Sequence, residues 1–271
     1  GVLPRKSKFS RKTAGNITEE QVVASNIDTV MLVASLNSNF NLRRIERYLT
    51  MAWESNANPV IVLSKADLCS DVDEKRREVE AIAFGVPVHV VSALSGMGMN
   101  GLKQRIKKGS TTALLGSSGV GKSSIINYLA DSNIQEVGEI RESDGRGRHT
   151  TTSRNLIILP DGGIILDTPG MRELQLWNGS EGAAETFDDI QKLAQGCRFK
   201  NCTHSGEPGC AVRQAVEEGY VDAERIESYH KLNKEIRYIE EKQRKIARRA
   251  KKKLCNKKQV RIKPKYDIDM Y

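Results

Sequence analysis

The stretch Gly116-Ser117-Ser118-Gly119-Val120-Gly121-Lys122-Ser123 leaves this chain few ways to fold, because it matches G-x-x-x-x-G-K-[ST] between a strand signal and a helix signal. Thr111 to Leu115 reads as a short buried strand, and Lys122 to Ala130 as a helix with Ile125, Ile126 and Leu129 on one face. A loop that wraps phosphates points backbone N–H groups inward and carries little bulk, which explains glycine at 116, 119 and 121. The helix N-terminus adds free N–H groups and a positive dipole end. Lys122 then reaches the β- and γ-phosphates, Ser123 ligates Mg²⁺, and Ser124 completes the phosphate-binding set.

The surrounding chain alternates strand and helix patterns. Thr29 to Ala34, Pro59 to Leu63 and Pro87 to Val91 are apolar runs of strand length; between them, Leu42, Ile45, Tyr48 and Leu49 fall at helical spacing, and Val72 to Phe84 is a charged helix. A short helix near Asn100 to Lys107 leads into the phosphate-loop strand, and Arg154 to Leu159 and Gly163 to Leu166 flank Pro160-Asp161-Gly162 as a hairpin. This order predicts an α/β fold with a mainly parallel sheet and its ligand at the carboxyl ends of the strands.

Those strand ends carry chemistry. Asp167, followed by Thr168-Pro169-Gly170, suits a carboxylate that holds Mg²⁺ through water and a Gly170 N–H that touches a γ-phosphate. Ser64-Lys65-Ala66-Asp67 suits a guanine base: the Asp67 carboxylate accepts from N1–H and N2–H₂, a donor pair adenine lacks. Lys65 lays its stem along the base, and Ala93, after Ser92, offers its N–H to the guanine carbonyl. The polar stretch 138–152 is too long for an ordinary connection and reads as a functional loop.

With the base motifs ahead of the phosphate loop, the set resembles a TRAFAC-class GTPase in circularly permuted order. That order, Gly-Arg-His149-Thr-Thr-Thr, the opening Leu3-Pro4-Arg5-Lys6-Ser7 and the cysteine cluster described below together resemble the RsgA (YjeQ/YloQ) family over essentially the whole chain. The resemblance implies GTP hydrolysis to GDP and phosphate, dependence on the small ribosomal subunit and its rRNA, and a role in that subunit's maturation. It supports His149 as catalytic and makes Thr151 the threonine that contacts the metal. It also implies an N-terminal OB barrel, of which only the last residues would be present here. Ser64 stands where the family has Asn, which bears on one loop-bracing hydrogen bond and not on the carboxylate's contact with the base. Met171 follows Gly170 where many GTPases carry a water-orienting Gln, and a thioether cannot hold that water. The rivals are a P-loop ATPase or kinase and a GTP-gated RNA-binding module without turnover.

Cys197, Cys202, His204 and Cys210 follow C-x₄-C-x-H-x₅-C, three thiolates and an imidazole that suit one closed, structural zinc site rather than a redox pair. From Ala223 a helix places Ile226, Tyr229, Leu232, Ile236 and Ile239 on one stripe and passes into a cationic tail. Beyond Glu241 there are 13 Lys and Arg against two Asp, a net +11, so the preceding chain is −2 within the total of +9. That segregation suits a polyanionic partner. No apolar run approaches the ~20 residues of a membrane span, and a cytoplasmic monomer is expected. The expected units are 1–20 (residual OB end or linker), 21–178 (permuted GTPase) and 179–271 (helical zinc domain with basic tail). Because the zinc unit follows Gly170 directly, nucleotide-dependent movement of that loop is expected to pull on the C-terminal domain.

Overall fold

The apolar runs Thr29 to Ala34 and Pro59 to Leu63 become strands largely buried on both faces, which is why they lack a polar alternation. In β3 (Thr29–Ser35), Val30 and Leu32 enter one core, while Met31 and Val33 enter the other. All four are at most 1% exposed. Burying each such side chain contributes about 1.5–3 kcal/mol. The computed structural model describes residues 1, 3–12, 20–134, 155–167 and 179–261.

A six-stranded sheet has the order β5-β4-β3-β6-β8-β7. Here β4 is Asn58–Ser64, β5 Val88–Val90, β6 Thr111–Leu115, β7 Asn155–Ile158 and β8 Ile164–Asp167. All neighbours are parallel except β7 with β8, the expected hairpin. The chain runs outward from β3 through β4 to β5, then returns to place β6 on the other side of β3. That reversal opens a crevice between β3 and β6 at their carboxyl ends, where ligands bind in open α/β sheets.

Two further strands, β1 (Lys8–Lys12) and β2 (Glu20–Ser25), pair antiparallel. The opening basic segment is therefore partly extended: Phe9 is only 2% exposed and supplies the burial that its charged neighbours do not. Helices α1 (Leu42–Glu54) and α2 (Val72–Ile82) cover one face of the sheet; α3 (Met99–Lys103) and α4 (Lys122–Leu129) cover the other. The α3 helix stops short of the expected Lys107, and the turns after it bring buried Ile106 against Gly163, where a Cβ would lie 2.6 Å from Ile106 Cγ2.

The C-terminal part is helical: α5 (Ser180–Thr186), α6 (Asp188–Ala194), α7 (Ala211–Glu217) and α8 (Ala223–Arg261). At 39 residues, α8 is about 58 Å long. It absorbs most of the expected tail, since no Gly or Pro interrupts 223–261 and its Lys, Arg, Glu and Ala favour helix. These helices share the core of α1: Phe187, Ile190, Val212, Ile226 and Leu232 join the same cluster as Ile45 and Leu49. Gly182 allows α5 to meet α1 closely, because a Cβ there would lie 2.1 Å from the Thr50 carbonyl oxygen. Arg225 of α8, 4% exposed, donates to Glu46 of α1 at 2.7 Å and to Asp189 of α6 at 2.8 and 3.0 Å.

Candidate functional site

Four sequence-predicted segments meet at one edge of the sheet because their parallel strands end there. Gly116 follows β6, Ser64 ends β4, Ser92 follows β5, and Asp167 ends β8. Gly116 packs on β3 so closely that a Cβ would sit 2.4 Å from the Val33 carbonyl oxygen, while Gly119 and Gly121 take left-handed φ values of 77° and 93°. Side chains at these positions would distort the loop. Lys122 is 5% exposed, and its ammonium donates to the carbonyls of Gly116 at 2.7 Å and Ser117 at 2.6 Å. Ser117, Ser118, Ser123 and Ser124 are half-buried around the loop, whereas Val120 packs into the core.

The base-reading loop is tied to this phosphate loop. The Ser64 hydroxyl, 3% exposed, donates to the Val120 carbonyl at 2.6 Å. Serine therefore supplies a brace where the family pattern has asparagine. Lys65 adopts a left-handed φ of 59° that turns its stem toward the loop: its Cε lies 3.9 Å from where a Cβ on Gly121 would be. Burial lowers its ammonium pKa, against the opposing charge of Asp67. Asp67 is exposed on the turn Ala66–Leu68, free to accept from a base, and the Ala66 N–H bonds the Val91 carbonyl at 3.2 Å. That bond joins this loop to the one carrying Ala93. There Ser92, fully buried, accepts from the Ser95 N–H at 3.2 Å and shapes the turn, leaving Ala93 half-buried. Asp167 is 2% exposed beside the loop. His149, Thr151, Gly170 and Met171 lie outside the described residues.

The second cluster lies in the connection between α6 and α7, where Cys210 caps α7. The His204 Nδ1 is 3.6 Å from the Cys197 sulfur and 3.5 Å from the Cys210 sulfur, and the two sulfurs are 3.9 Å apart. With Cys202, all four donor atoms lie within 4.8 Å of one another. A tetrahedral Zn²⁺ with ordinary bond lengths separates two thiolates by about 3.8 Å and a thiolate from an imidazole nitrogen by about 3.6 Å. The donors match that spacing. The Cys202 thiol is pushed up to about 11, by burial first, with the neighbouring Cys210 and Cys197 sulfurs also raising it.

Three residues here escape motif reading. Glu207 accepts from the Thr203 hydroxyl and N–H at 2.6 and 2.8 Å and from the N–H groups of Ser205 and Gly206. These bonds hold its carboxyl well below the usual carboxylate range and shape the turn that presents His204. Arg225 fastens α8 to α1, as described above. Arg44, in the first turn of α1, donates to the Ser117 hydroxyl at 3.3 Å. Its one available signal was positional: the connection after β3 ends on the same sheet edge as the phosphate loop.

A protein-family model described as RsgA GTPase matches residues 2–177. The chain belongs to the RsgA GTPase family. It is accordingly a GTP hydrolase with permuted motif order, using a guanine nucleotide and Mg²⁺. A second model, described as 50S ribosome-binding GTPase, matches residues 111–252. Among RsgA relatives, small ribosomal subunit biogenesis GTPase RsgA 2 of Vibrio vulnificus is 49% identical over 237 residues, 88% of this chain and 68% of that protein. The protein of the same description from Lactiplantibacillus plantarum is 47% identical over 270 residues, 99% of this chain and 76% of its own. The crystal structure of YjeQ from Thermotoga maritima superposes with a TM-score of 0.62 at 31% identity, covering 87% of this chain and 77% of that one. That of YloQ, a circularly permuted GTPase, gives 0.55 at 26% identity, covering 87% and 82%.

Proposed function

We propose that this RsgA-family GTPase binds GTP at the β3/β6 crevice, and that its nucleotide state governs binding to and release from the small ribosomal subunit during that subunit's maturation. The observation that carries the nucleotide reading is the bond from Ser64 to the Val120 carbonyl, which fixes the distance between the base loop and the phosphate loop. The ribosomal role rests on the relatives' names.

Asp67 accepts from the Watson–Crick edge of guanine, Lys65 covers one face of the base, and the Ala93 N–H meets its carbonyl. Lys122 exchanges the carbonyls of Gly116 and Ser117 for phosphate oxygens, a stronger charge-assisted contact. Bound Mg²⁺ offsets the charge on the β- and γ-phosphates; Ser123, Asp167 and Thr151 would hold it. Gly170 senses the γ-phosphate, and His149 orients the attacking water, a task Met171 cannot perform. Cys197, Cys202, His204 and Cys210 hold one structural Zn²⁺ that staples a segment with few apolar residues. The cations of α8 and the residues after it contact rRNA phosphates without reading sequence. The protein works as a cytoplasmic monomer built of units 1–20, 21–178 and 179–271; among the described residues no helix is long and apolar enough to cross a membrane.

The test is single-turnover GTP hydrolysis with and without purified small subunits. The wild type should be slow alone and accelerated by subunits. His149→Ala should bind a nonhydrolysable analogue normally yet lose about 10²-fold or more of the stimulated rate, because it removes a transition-state role. Absence of stimulation would sink the ribosomal reading, and a His149→Ala variant at the wild-type rate would return His149 to the status of a loop residue.

A further inference from the structure

The connection from β3 to α1 runs along the other wall of the crevice and is built around asparagines. Asn37 Oδ1 accepts from the Ser35 hydroxyl at 2.8 Å and the Asn39 N–H at 3.1 Å, and Asn41 caps α1 by accepting from the Arg44 N–H at 2.9 Å. The loop is thereby fixed by its own side chains, and it aims one guanidinium across the crevice. Arg44 Nη1 donates to Asn39 Oδ1 at 3.1 Å, to the Asn39 carbonyl at 3.3 Å and to the Ser117 hydroxyl at 3.3 Å.

Ser117 is a consequential place to hold. Its carbonyl, with that of Gly116, anchors the Lys122 ammonium, the group that reaches the β- and γ-phosphates. A guanidinium keeps its charge at any working pH and has a fixed planar fork, so it constrains direction as well as distance.

The helical turn that carries Arg44 is itself held from behind. Its neighbour Arg43 bonds Asp222 and Glu224 at 2.9 and 3.2 Å, and Arg47 makes a two-pronged ion pair with Glu235 of α8. Arg44 thus touches the phosphate loop from a turn fastened to the C-terminal helix.

We infer that Arg44 is a positioning residue for hydrolysis: through Ser117 it keeps the start of the phosphate loop, and with it Lys122, in the arrangement that meets the γ-phosphate. This rests on placing the triphosphate in the 116–123 loop. GDP lacks the γ-phosphate, so its affinity depends less on this contact than turnover does.

The experiment measures single-turnover hydrolysis of GTP by the full chain without subunits, together with GDP affinity from a fluorescent GDP analogue. The variants are Arg44→Ala, Arg44→Lys, Ser117→Ala and the double Arg44→Ala/Ser117→Ala. Arg44→Ala should lose about tenfold or more in rate, as small misplacements of reacting groups do, with GDP affinity within about threefold of wild type. Arg44→Lys should recover part of the loss, since an ammonium keeps the charge but not the fork. In the Ser117→Ala background, Arg44→Ala should cost little more, because both changes break one contact.

A wild-type rate for Arg44→Ala, or losses that multiply in the double variant, would overturn the inference. So would a fall in GDP affinity equal to the fall in rate, which marks a merely structural residue. A wild-type chain that binds GTP without any turnover would instead overturn the reading of the site, and this inference with it.

Discussion

Replacing Arg225 with alanine should destabilise the union of the nucleotide-binding sheet with the C-terminal helices by about 3 kcal/mol. The side chain is 4% exposed and joins Glu46 at 2.7 Å, Asp189 at 2.8 Å and the Thr186 carbonyl at 3.1 Å, with its guanidinium 5.0 Å from the Phe187 ring centre. Losing one partner of a buried pair costs about 3–5 kcal/mol, chiefly through the charge left behind. The losses are unequal here. Asp189, 25% exposed, can turn to water, whereas the Glu46 side chain is 1% exposed and its Oε2 has no hydrogen-bond partner among the described residues. Arg43 still donates to Glu46 Oε1 at 3.1 Å, which argues for the low end of the range. Urea unfolding followed by tryptophan fluorescence should then show a midpoint about 1 M lower, with a slope near 3 kcal/mol per M. Glu46→Gln in the same background should restore part of the loss, because it removes the stranded charge while keeping the shape. If Arg225→Ala unfolds within about 0.5 kcal/mol of wild type, or if Glu46→Gln deepens the loss, the buried pair does not hold the two parts together.

Asp67→Asn should shift selectivity from guanine toward xanthine nucleotides, since an amide presents a donor where N1–H needs an acceptor; competition binding with GTP, XTP and ATP checks this, and tight ATP binding by wild type would refute the base assignment. Protein purified under reducing conditions without chelator should carry one zinc per chain, and Cys202→Ser should release it while GDP binding persists; Glu207→Ala should weaken zinc retention by about 10- to 100-fold, as the loss of groups that orient metal ligands does. Burial raises the Glu54 carboxyl pKa, with the Gly182 N–H opposing and Glu181 adding to the rise. The folded state therefore holds that proton more tightly, so Glu54 lowers stability as pH climbs from the usual Glu value through its raised one. Glu54→Gln, which keeps an acceptor for Gly182, should melt higher than wild type at pH 7 and alike at pH 4; a difference that grows on acidification would contradict the sign.

Where the fold was legible, its cause was local. The strand from Thr111 to Leu115 and the helix opening at Lys122 occupy their expected positions because loop chemistry and apolar spacing act on adjacent residues. Convergence of Ser64, Ser92, Gly116 and Asp167 also followed, since strand order and direction suffice to gather strand ends. Arg225 was not legible: between Glu224 and Glu227 it reads as a surface charge, and only partners 179 and 36 residues away make it a core residue. Strand β1 was missed for a related reason, because Lys8 to Lys12 has one apolar residue and becomes a strand through pairing with Glu20 to Ser25. The length of α8 is encoded in the absence of Gly and Pro from 223 to 261, although the apolar stripe that marks a packed helix stops at Ile239 and only charge continues beyond it. His149, Thr151 and Gly170 lie outside the described residues, so their roles stand as expectations.

The link between nucleotide and C-terminal domain need not run only through the covalent neck after Gly170. Helix α1 has one end at the crevice, where Arg44 meets Ser117, and is pinned along its length by α5 at Gly182 and by α8 at Arg225 and Glu235. Sliding α8 along α1 would strand Glu46 in a site with almost no water, a penalty of several kcal/mol, whereas moving both helices together keeps the bonds of Arg225 and Glu235 to α1. The cheaper motion is the joint one. A polyanion that captured the exposed cations of α8 and tilted that helix would therefore also displace the turn holding Arg44, and the displacement would arrive at the carbonyls that anchor Lys122. In a permuted chain this matters, because the first strand of the sheet, β3, is the one that feeds α1. The order of the chain places the helix that grips the C-terminal domain against the wall of the nucleotide crevice.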